Sequence, residues 1–437
     1  MLTTLKNAFK IKELRDKILF TFAMLVVIRI GSQLPVPGVN GEYFRSWFAA
    51  QGGGAFSFFD AITGGSFINM SILALNISPY ITSSIIMQLL TIAIPKLEEM
   101  QRDGEEGRRK IVSITRYVTV GLALIQSTAM AIGFGRQGYL IDYNALNVIC
   151  AVATLTAGSA FLMWIGERIT ENGIGNGISI VLVINIISRL PEDLGNLFEQ
   201  FVFGKAPATA VLAAVIIFAV IIAMVVLVII LNDGVRRIPV QYANKVQGRR
   251  MVGGQTSNIP LKVNTAGVIP VIFAQSLMTL PIYISSFAGY SGTGVWSEVL
   301  KYLDSRYWCS PSQLRYSIGL LVYIVLIIFF AYFYTSITFN PLMIADNMKK
   351  QGGFIPGIRP GKPTSDYLNK VLNYIVFIGA VGLTIIAVLP YLFSGVFNAN
   401  VSFGGTSLII IVSVVLETMK QVESQMLVRN YKGFLEK

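Results

Sequence analysis

Side chains able to do covalent chemistry are scarce in this chain. Its 437 residues include no histidine, which removes His-based metal ligands, HExxH zinc sites and Ser-His nucleophile pairs together. Cys150 falls in an apolar run and Cys309 in an external loop, so depth separates the two cysteines and no disulfide framework is available. No glycine-rich nucleotide-binding loop occurs. What the chain offers is guanidinium chemistry. Arg236, Arg237, Arg249 and Arg250 gather in one polar stretch with Lys245, and Arg359 lies within Pro356-Gly-Ile-Arg-Pro-Gly361. The prolines and glycines there fix sharp turns that hold one Arg out on a rigid tip. Guanidinium groups pair bidentately with RNA phosphates and with protein carboxylates. The plainer reading is that basic loops only signal topology.

The elements that must position these residues are membrane spans. At 54% hydrophobic and 13% charged residues, with a mean hydropathy of +0.63, the chain cannot be a water-soluble globule, and its apolar stretches approach the ~20 residues that cross a bilayer. The expected spans are Ile18 to Leu34, Ile72 to Ile94, Ile111 to Phe134, Val148 to Ile165 and Ile174 to Ile187, then Ala208 to Leu231, Ala266 to Phe287, Ile318 to Phe339, Val371 to Phe393 and Thr406 to Gln421. Most Lys and Arg residues fall in every second gap, so the positive-inside rule places both termini and the loops 95–110, 166–173, 232–265 and 340–370 in the cytoplasm. Arg29 and Arg116 are left over, each toward the end of a run where a long side chain snorkels to the interface. The basic start, Lys6 to Lys17, leads into a retained first helix, because no small-residue cleavage site follows it. A net charge of +12 concentrated on the inner face suits anionic lipids, acidic protein segments or ribosomal RNA.

Five spans is an odd number, so the second set enters from the opposite side to the first and an inverted repeat is permitted. The division expected is 1–190 and 191–437. Ser57 to Met70 breaks the pattern: it is apolar but short, carries Asp60 and is interrupted by Gly64 and Gly65. It must be interfacial or re-entrant, since lipid would leave its broken backbone unsatisfied. In the loop 232–265, the alternation in Ile238-Pro-Val-Gln-Tyr242 suggests a hairpin. A ten-span solute transporter is the rival class, but such proteins place ionisable groups near the bilayer centre. Here Glu167 and Glu417 lie near inner ends and Asp60 outside the spans. The intramembrane protease class fails because the chain has no histidine for a Ser-His pair and no Gly-Asp motif paired with a second membrane aspartate.

Several strings resemble the SecY family, the central subunit of the bacterial protein-conducting channel. They are Ser78-Pro-Tyr-Ile-Thr82 with Gln88-Leu-Leu, Gly104-Glu-Glu-Gly-Arg-Arg-Lys110, Gly173-Ile-Gly-Asn-Gly-Ile-Ser179, Gln247-Gly-Arg-Arg250, Pro260-Leu-Lys-Val-Asn264 with Ala266-Gly-Val-Ile-Pro270, Phe339-Asn-Pro341, Ala345-Asp-Asn347, Gly357-Ile-Arg-Pro-Gly361 and Gly404-Gly-Thr-Ser407. The tail Leu416 to Gln425 with Arg429-Asn-Tyr431 looks closest to the Gram-positive branch.

The resemblance implies an all-α polytopic fold, two inverted five-helix halves around an hourglass pore. It assigns a plug helix to Phe58, Phe59, Asp60, Ala61, Ile62, Thr63, Gly64, Gly65, Ser66 and Phe67. A pore ring is implied at Ile81, Ile85, Ile178, Leu182, Ile272 and Ile410, where Leu182 replaces the family's branched aliphatic. Two pairs are spaced i, i+4 and so share a helical face; an apolar constriction of this kind dewets and blocks ions. From the residues alone such pairs read as lipid-facing or core. A lateral gate is implied between the second and seventh spans, with Thr82, Ser83, Ser84 and Gln88 on one side and Gln275 and Ser276 on the other. The implied function is passage of unfolded secretory polypeptides and sideways release of transmembrane helices at the bacterial cell membrane. Neither enzymatic activity nor a metal nor any cofactor is implied for this chain; ATP is used by the motor SecA. The implied partners are SecE and SecG, SecA, the ribosome, signal sequences and nascent chains, and anionic lipids, with SecDF and YidC as further candidates. Arg236, Arg237, Arg249, Arg250 and Arg359 are the implied docking residues.

Overall fold

The computed structural model describes residues 9–51, 60, 62–203, 207–242, 245–247, 250–252, 256–287, 294–309, 314–397 and 405–435. In the first half the helices are α1 (Lys12–Gly31), α2 (Gly41–Gln51), α3 (Ser78–Ala93), α4 (Pro95–Arg102), α5 (Glu105–Arg136), α6 (Ala145–Asn172) and α7 (Gly177–Phe201). The second half opens with α8 (Pro207–Asp233), strands β1 (Val235–Tyr242), β2 (Lys245–Gln247), β3 (Arg250–Val252) and β4 (Thr256–Lys262), and α9 (Ile269–Phe287). It closes with α10 (Val295–Leu303), α11 (Ile318–Thr338), α12 (Pro341–Lys350), β5 (Gly353–Phe354), α13 (Lys362–Phe397) and α14 (Gly405–Leu435). The spans are α1, α3, α5, α6 and α7, then α8, α9, α11, α13 and α14.

Composition and position explain their differences. Hydropathy is highest in the stretch 210–233 of α8, a helix apolar all round whose long side chains mostly face outward. By contrast α7 carries Asn185, Ser188, Arg189, Glu192 and Asp193, although it is central to the fold. The second span is shorter than expected. Residues 72–77 are turns, and α3 begins only at Ser78, with Pro79 in its first turn. At the other end Pro95 forces Ile94 out of the helical region, and the chain bends by 107° into α4. The fifth span is longer than expected: α7 runs to Phe201, so the boundary at 190/191 falls inside a helix. Its last turns, with Leu190, Leu194, Leu197 and Phe201, pack into the core of the second half.

Within the first half α5 packs between α3 and α6, and α6 in turn meets α1 and α7. In the second, α11 packs between α9 and α13, and α14 lies against α8 and α13. The halves meet on one side through α7 against α8 and α14, and on the other through α5 against α9.

The expected hairpin is present. β1 pairs antiparallel with β4 from Val235↔Lys262 to Gln241↔Thr256, and β5 from the next basic loop joins β1 at Gln241↔Phe354. One small sheet therefore unites both loops. Alternation puts Ile238 and Val240 on its covered face, against Leu261, Met348, Ile355 and Leu368, and leaves Arg236 and Arg237 exposed.

Candidate pore, seal and docking surface

The motif Gly173 to Ser179 acts as a hinge into α7. Asn176 caps the helix, its side-chain oxygen accepting from the N–H groups of Ile178 (3.1 Å) and Ser179 (3.4 Å). Thr170 accepts from the Gly177 N–H at 2.9 Å and Thr21 from the Ile174 N–H at 3.2 Å, tying the hinge to α6 and α1. α7 thereby starts at a fixed depth and presents Leu182, Val183 and Ile186 to a cluster completed by Ile410 of α14. Ile81, Ile272, Val268 and Ile62 pack against it. Four of the six ring candidates, Ile81, Leu182, Ile272 and Ile410, thus converge. Each lies within the first two turns of its helix, so four helix starts meet at one waist.

Two ring candidates are placed differently. Ile178 belongs to a neighbouring cluster with Ile28, Ile165 and Ile169, and its side chain fills the space over Gly166 where no Cβ fits. Ile81 packs against both clusters. Ile85 is half-buried, one turn further along α3 than Ile81, and joins neither cluster.

Of the plug candidates, Phe58, Phe59 and Ala61 lie outside the described residues. Asp60, Ile62 and Thr63 are helical, and Gly64 to Met70 are turns rather than a continuing helix. The segment is bound by polar contacts. The Asp60 carboxylate is buried beside Arg189 of α7 (2.5 Å) and accepts from the Ile68 N–H (3.0 Å). Asn76 donates to the Ile62 carbonyl (2.9 Å) and accepts from Asn185 of α7 (3.2 Å). Gly64 has φ +65° and lies so close to α7 that an added Cβ would meet the Asn185 carbonyl oxygen at 2.7 Å, which only glycine avoids. Arg29 does not snorkel to lipid; it is half-buried and donates to the Gly64 carbonyl at 3.2 Å. Arg116, likewise, pairs with Glu167 of α6 at 2.8 Å.

The gate candidates divide in two. Thr82, Gln88 and Ser276 are exposed and Ser84 half-buried. Ser83 is instead buried against α5, sharing a hydrogen bond with Thr119 (2.6 Å) and donating to the Thr115 carbonyl (3.2 Å). Gln275 is buried too, accepting from the Tyr391 hydroxyl of α13 at 3.1 Å. Both are turned into their own halves, so neither offers a polar contact across the seam.

In the second basic loop Arg359 is exposed between Gly357 (φ +82°) and Gly361 (φ +101°), and its carbonyl accepts from Thr364 at 2.8 Å. The motif Phe339-Asn-Pro341 starts α12, where Asn340 caps Leu342 and Met343 and Pro341 takes the first turn. Arg249 lies outside the described residues, and Arg250 is on β3 opposite Gln247.

A family model described as SecY matches residues 71–419. The chain belongs to the SecY family. Protein translocase subunit SecY of Mycobacterium tuberculosis is 42% identical over the full length of both chains, and that of Bacillus licheniformis 43% identical, also over both full lengths. Among solved structures, one described as the structure of a protein conducting channel is similar with a TM-score of 0.60 at 18% identity, covering 94% of this chain and 92% of that one. Sec61 in the canine ribosome–channel complex is similar with a TM-score of 0.56 at 17% identity, covering 94% and 92%. At those identities the likeness shows the fold, which is the ten-span, two-half SecY arrangement. The SecY chain is accordingly a multi-pass membrane protein and a channel subunit of a protein translocase.

Asn76, Asn185 and Arg189, which hold the plug segment, were not singled out by sequence. A signal existed: Asn185, Ser188 and Arg189 form an i, i+3, i+4 polar stripe in the otherwise apolar stretch Ile180 to Leu190. Ending the fifth span at Ile187 concealed it.

Proposed function

We propose that this SecY chain passes unfolded secretory polypeptides across a bacterial cell membrane, and releases transmembrane helices into lipid between α3 and α5 on one side and α9 on the other. Supporting this reading is the convergence of Ile81, Leu182, Ile272 and Ile410 with Ile62 of the plug segment packed against them. Aliphatic side chains exclude water from a narrow passage, yet they adapt to a peptide of any sequence because they need no hydrogen-bond partner. Both termini face the cytoplasm. The sheet built from two basic loops, with Arg236 and Arg237, and the tip bearing Arg359 dock the ribosome or the motor SecA, whose ATP hydrolysis drives export; Arg249 and Arg250 contribute from the same loop. SecE and SecG accompany the chain. In vesicles holding the purified complex, with motor and ATP added, a secretory precursor should become protected from protease. Arg359→Glu should abolish that protection without lowering the amount of chain in the membrane. Undiminished protection in Arg359→Glu vesicles would remove the docking assignment.

A further inference from the structure

Arg189 holds two carboxylates at once. One guanidinium nitrogen meets Asp60 of the plug segment at 2.5 Å, and another meets Glu192, one turn along α7, at 2.6 Å. The two acids differ sharply in surroundings: the Asp60 side chain is 1% exposed and that of Glu192 62% exposed. A buried ion pair is costly to break when one member stays behind unpaired. A segment that must leave its seat would therefore be trapped by such a pair, unless the charge left behind kept a partner.

We propose that Arg189 is the positioning residue of the seal and works by exchange: Asp60 latches the plug segment to α7 when the channel is closed, and Glu192 retains the guanidinium when the segment departs. This rests on the reading of 57–70 as a displaceable seal. The rest of the contact set agrees with a latch built for one position. Gly64 approaches the backbone of Asn185, and Asn76 spans from the Ile62 carbonyl to Asn185, so the seal sits in register along a single turn of α7. On the same stretch of α7, Leu182 and Ile186 belong to the waist. Movement of α7 therefore reaches the waist and the latch together. Departure of the segment exposes Asp60 to water, where a carboxylate needs no protein partner, while Arg189, fixed on the helix, does need one.

The exchange gives the two carboxylates opposite effects, which a merely structural role would not. Asp60→Asn and Arg189→Met remove the latch and should raise the idle ion conductance of the intact channel complex at least tenfold, and with it the export of a precursor with a defective signal sequence. Glu192→Gln leaves Arg189 paired with Asp60 in the closed state and takes away its exposed carboxylate partner once Asp60 has left. It should lower both readouts below the unaltered channel. Asp60→Asn combined with Arg189→Met removes both buried charges and should lie nearer the unaltered channel than Arg189→Met alone. Should Arg189→Met fail to accumulate in membranes, Asp60→Asn and Glu192→Gln suffice, since their opposite signs carry the claim. Equal signs, or no change in either, would overturn it. Deleting Phe59 to Phe67 separates the two readings: if the deletion leaks and Asp60→Asn does not, only the latch fails, whereas an unleaking deletion removes the seal itself.

Discussion

Ile178 and Ile272 lie in the first turn of their helices, yet their surroundings assign them different work. Ile272 packs at the waist beside Leu182 and Ile410, while Ile178 is wedged between α6 and α7 over Gly166. Ile272→Asn should therefore wet the constriction and raise idle conductance in planar bilayers, with little loss of folded chain. Ile178→Asn places an amide among apolar side chains and should cost about 1–3 kcal/mol. The thermal midpoint in detergent would register that loss, and conductance per folded channel would stay near its starting value. The same contrast explains why aliphatic pairs in the sequence were ambiguous. Spacing puts Ile178 and Leu182 on one face, but the width of that face lets one serve packing and the other the waist.

At the scale of elements, the plug segment and α7 behave as lock and plate. Gly64→Ala would strain a positive φ, at about 1–2 kcal/mol, and drive a methyl group against the backbone of Asn185. Both effects lift the segment. Gly64→Ala should consequently raise transient leakage and relax signal-sequence stringency, in the same direction as deleting Phe59 to Phe67 but by less. Channel recordings on the two variants side by side would check the order. If the deletion gave an unfolded, degraded protein instead, the segment would be scaffold. The short second span belongs to the same arrangement: α3, about 24 Å long at 1.5 Å per residue, starts at the waist because residues 64–70 and 72–77 fold beneath it as turns.

For the whole molecule, the packing distinguishes the two sides on which the halves meet. α7 against α8 and α14 forms a joint in which the end of α7 shares the core of the second half, whereas α5 against α9 is the opposite side. A short chemical cross-link between α5 and α9 should block both insertion of a signal sequence and release of a transmembrane helix. A link between α7 and α14 should be tolerated. Protease protection and membrane integration of a test precursor would measure each. The sheet of the two basic loops is a separate matter of charge. Raising ionic strength from about 0.1 M to about 1 M shortens the screening length from ~10 Å to ~3 Å. Partner association with Arg236, Arg237 and Arg359 should weaken at least tenfold over that range, as a binding titration would show.

The amino-acid sequence by itself determined the solvent of this protein and most of its spans, because hydrophobic run length acts locally and needs no partner. It also determined where helices start and turn, through Asn176, Asn340, Pro95 and the glycines around Arg359, since caps and turns are made within a few residues. Its motifs sufficed to point to the SecY family. Only the tertiary structure decided which faces meet. Ser83 and Gln275, polar residues on the two gate helices, found partners in α5 and α13 within their own halves. Arg29, expected to reach the interface at the end of its run, and Arg189, just beyond the expected end of the fifth span, both turned inward to the plug segment. A buried polar group takes whichever partner the packing brings within reach, and Arg189 and Asp60 stand far apart in the chain. Their pairing was set by the docking of one element on another.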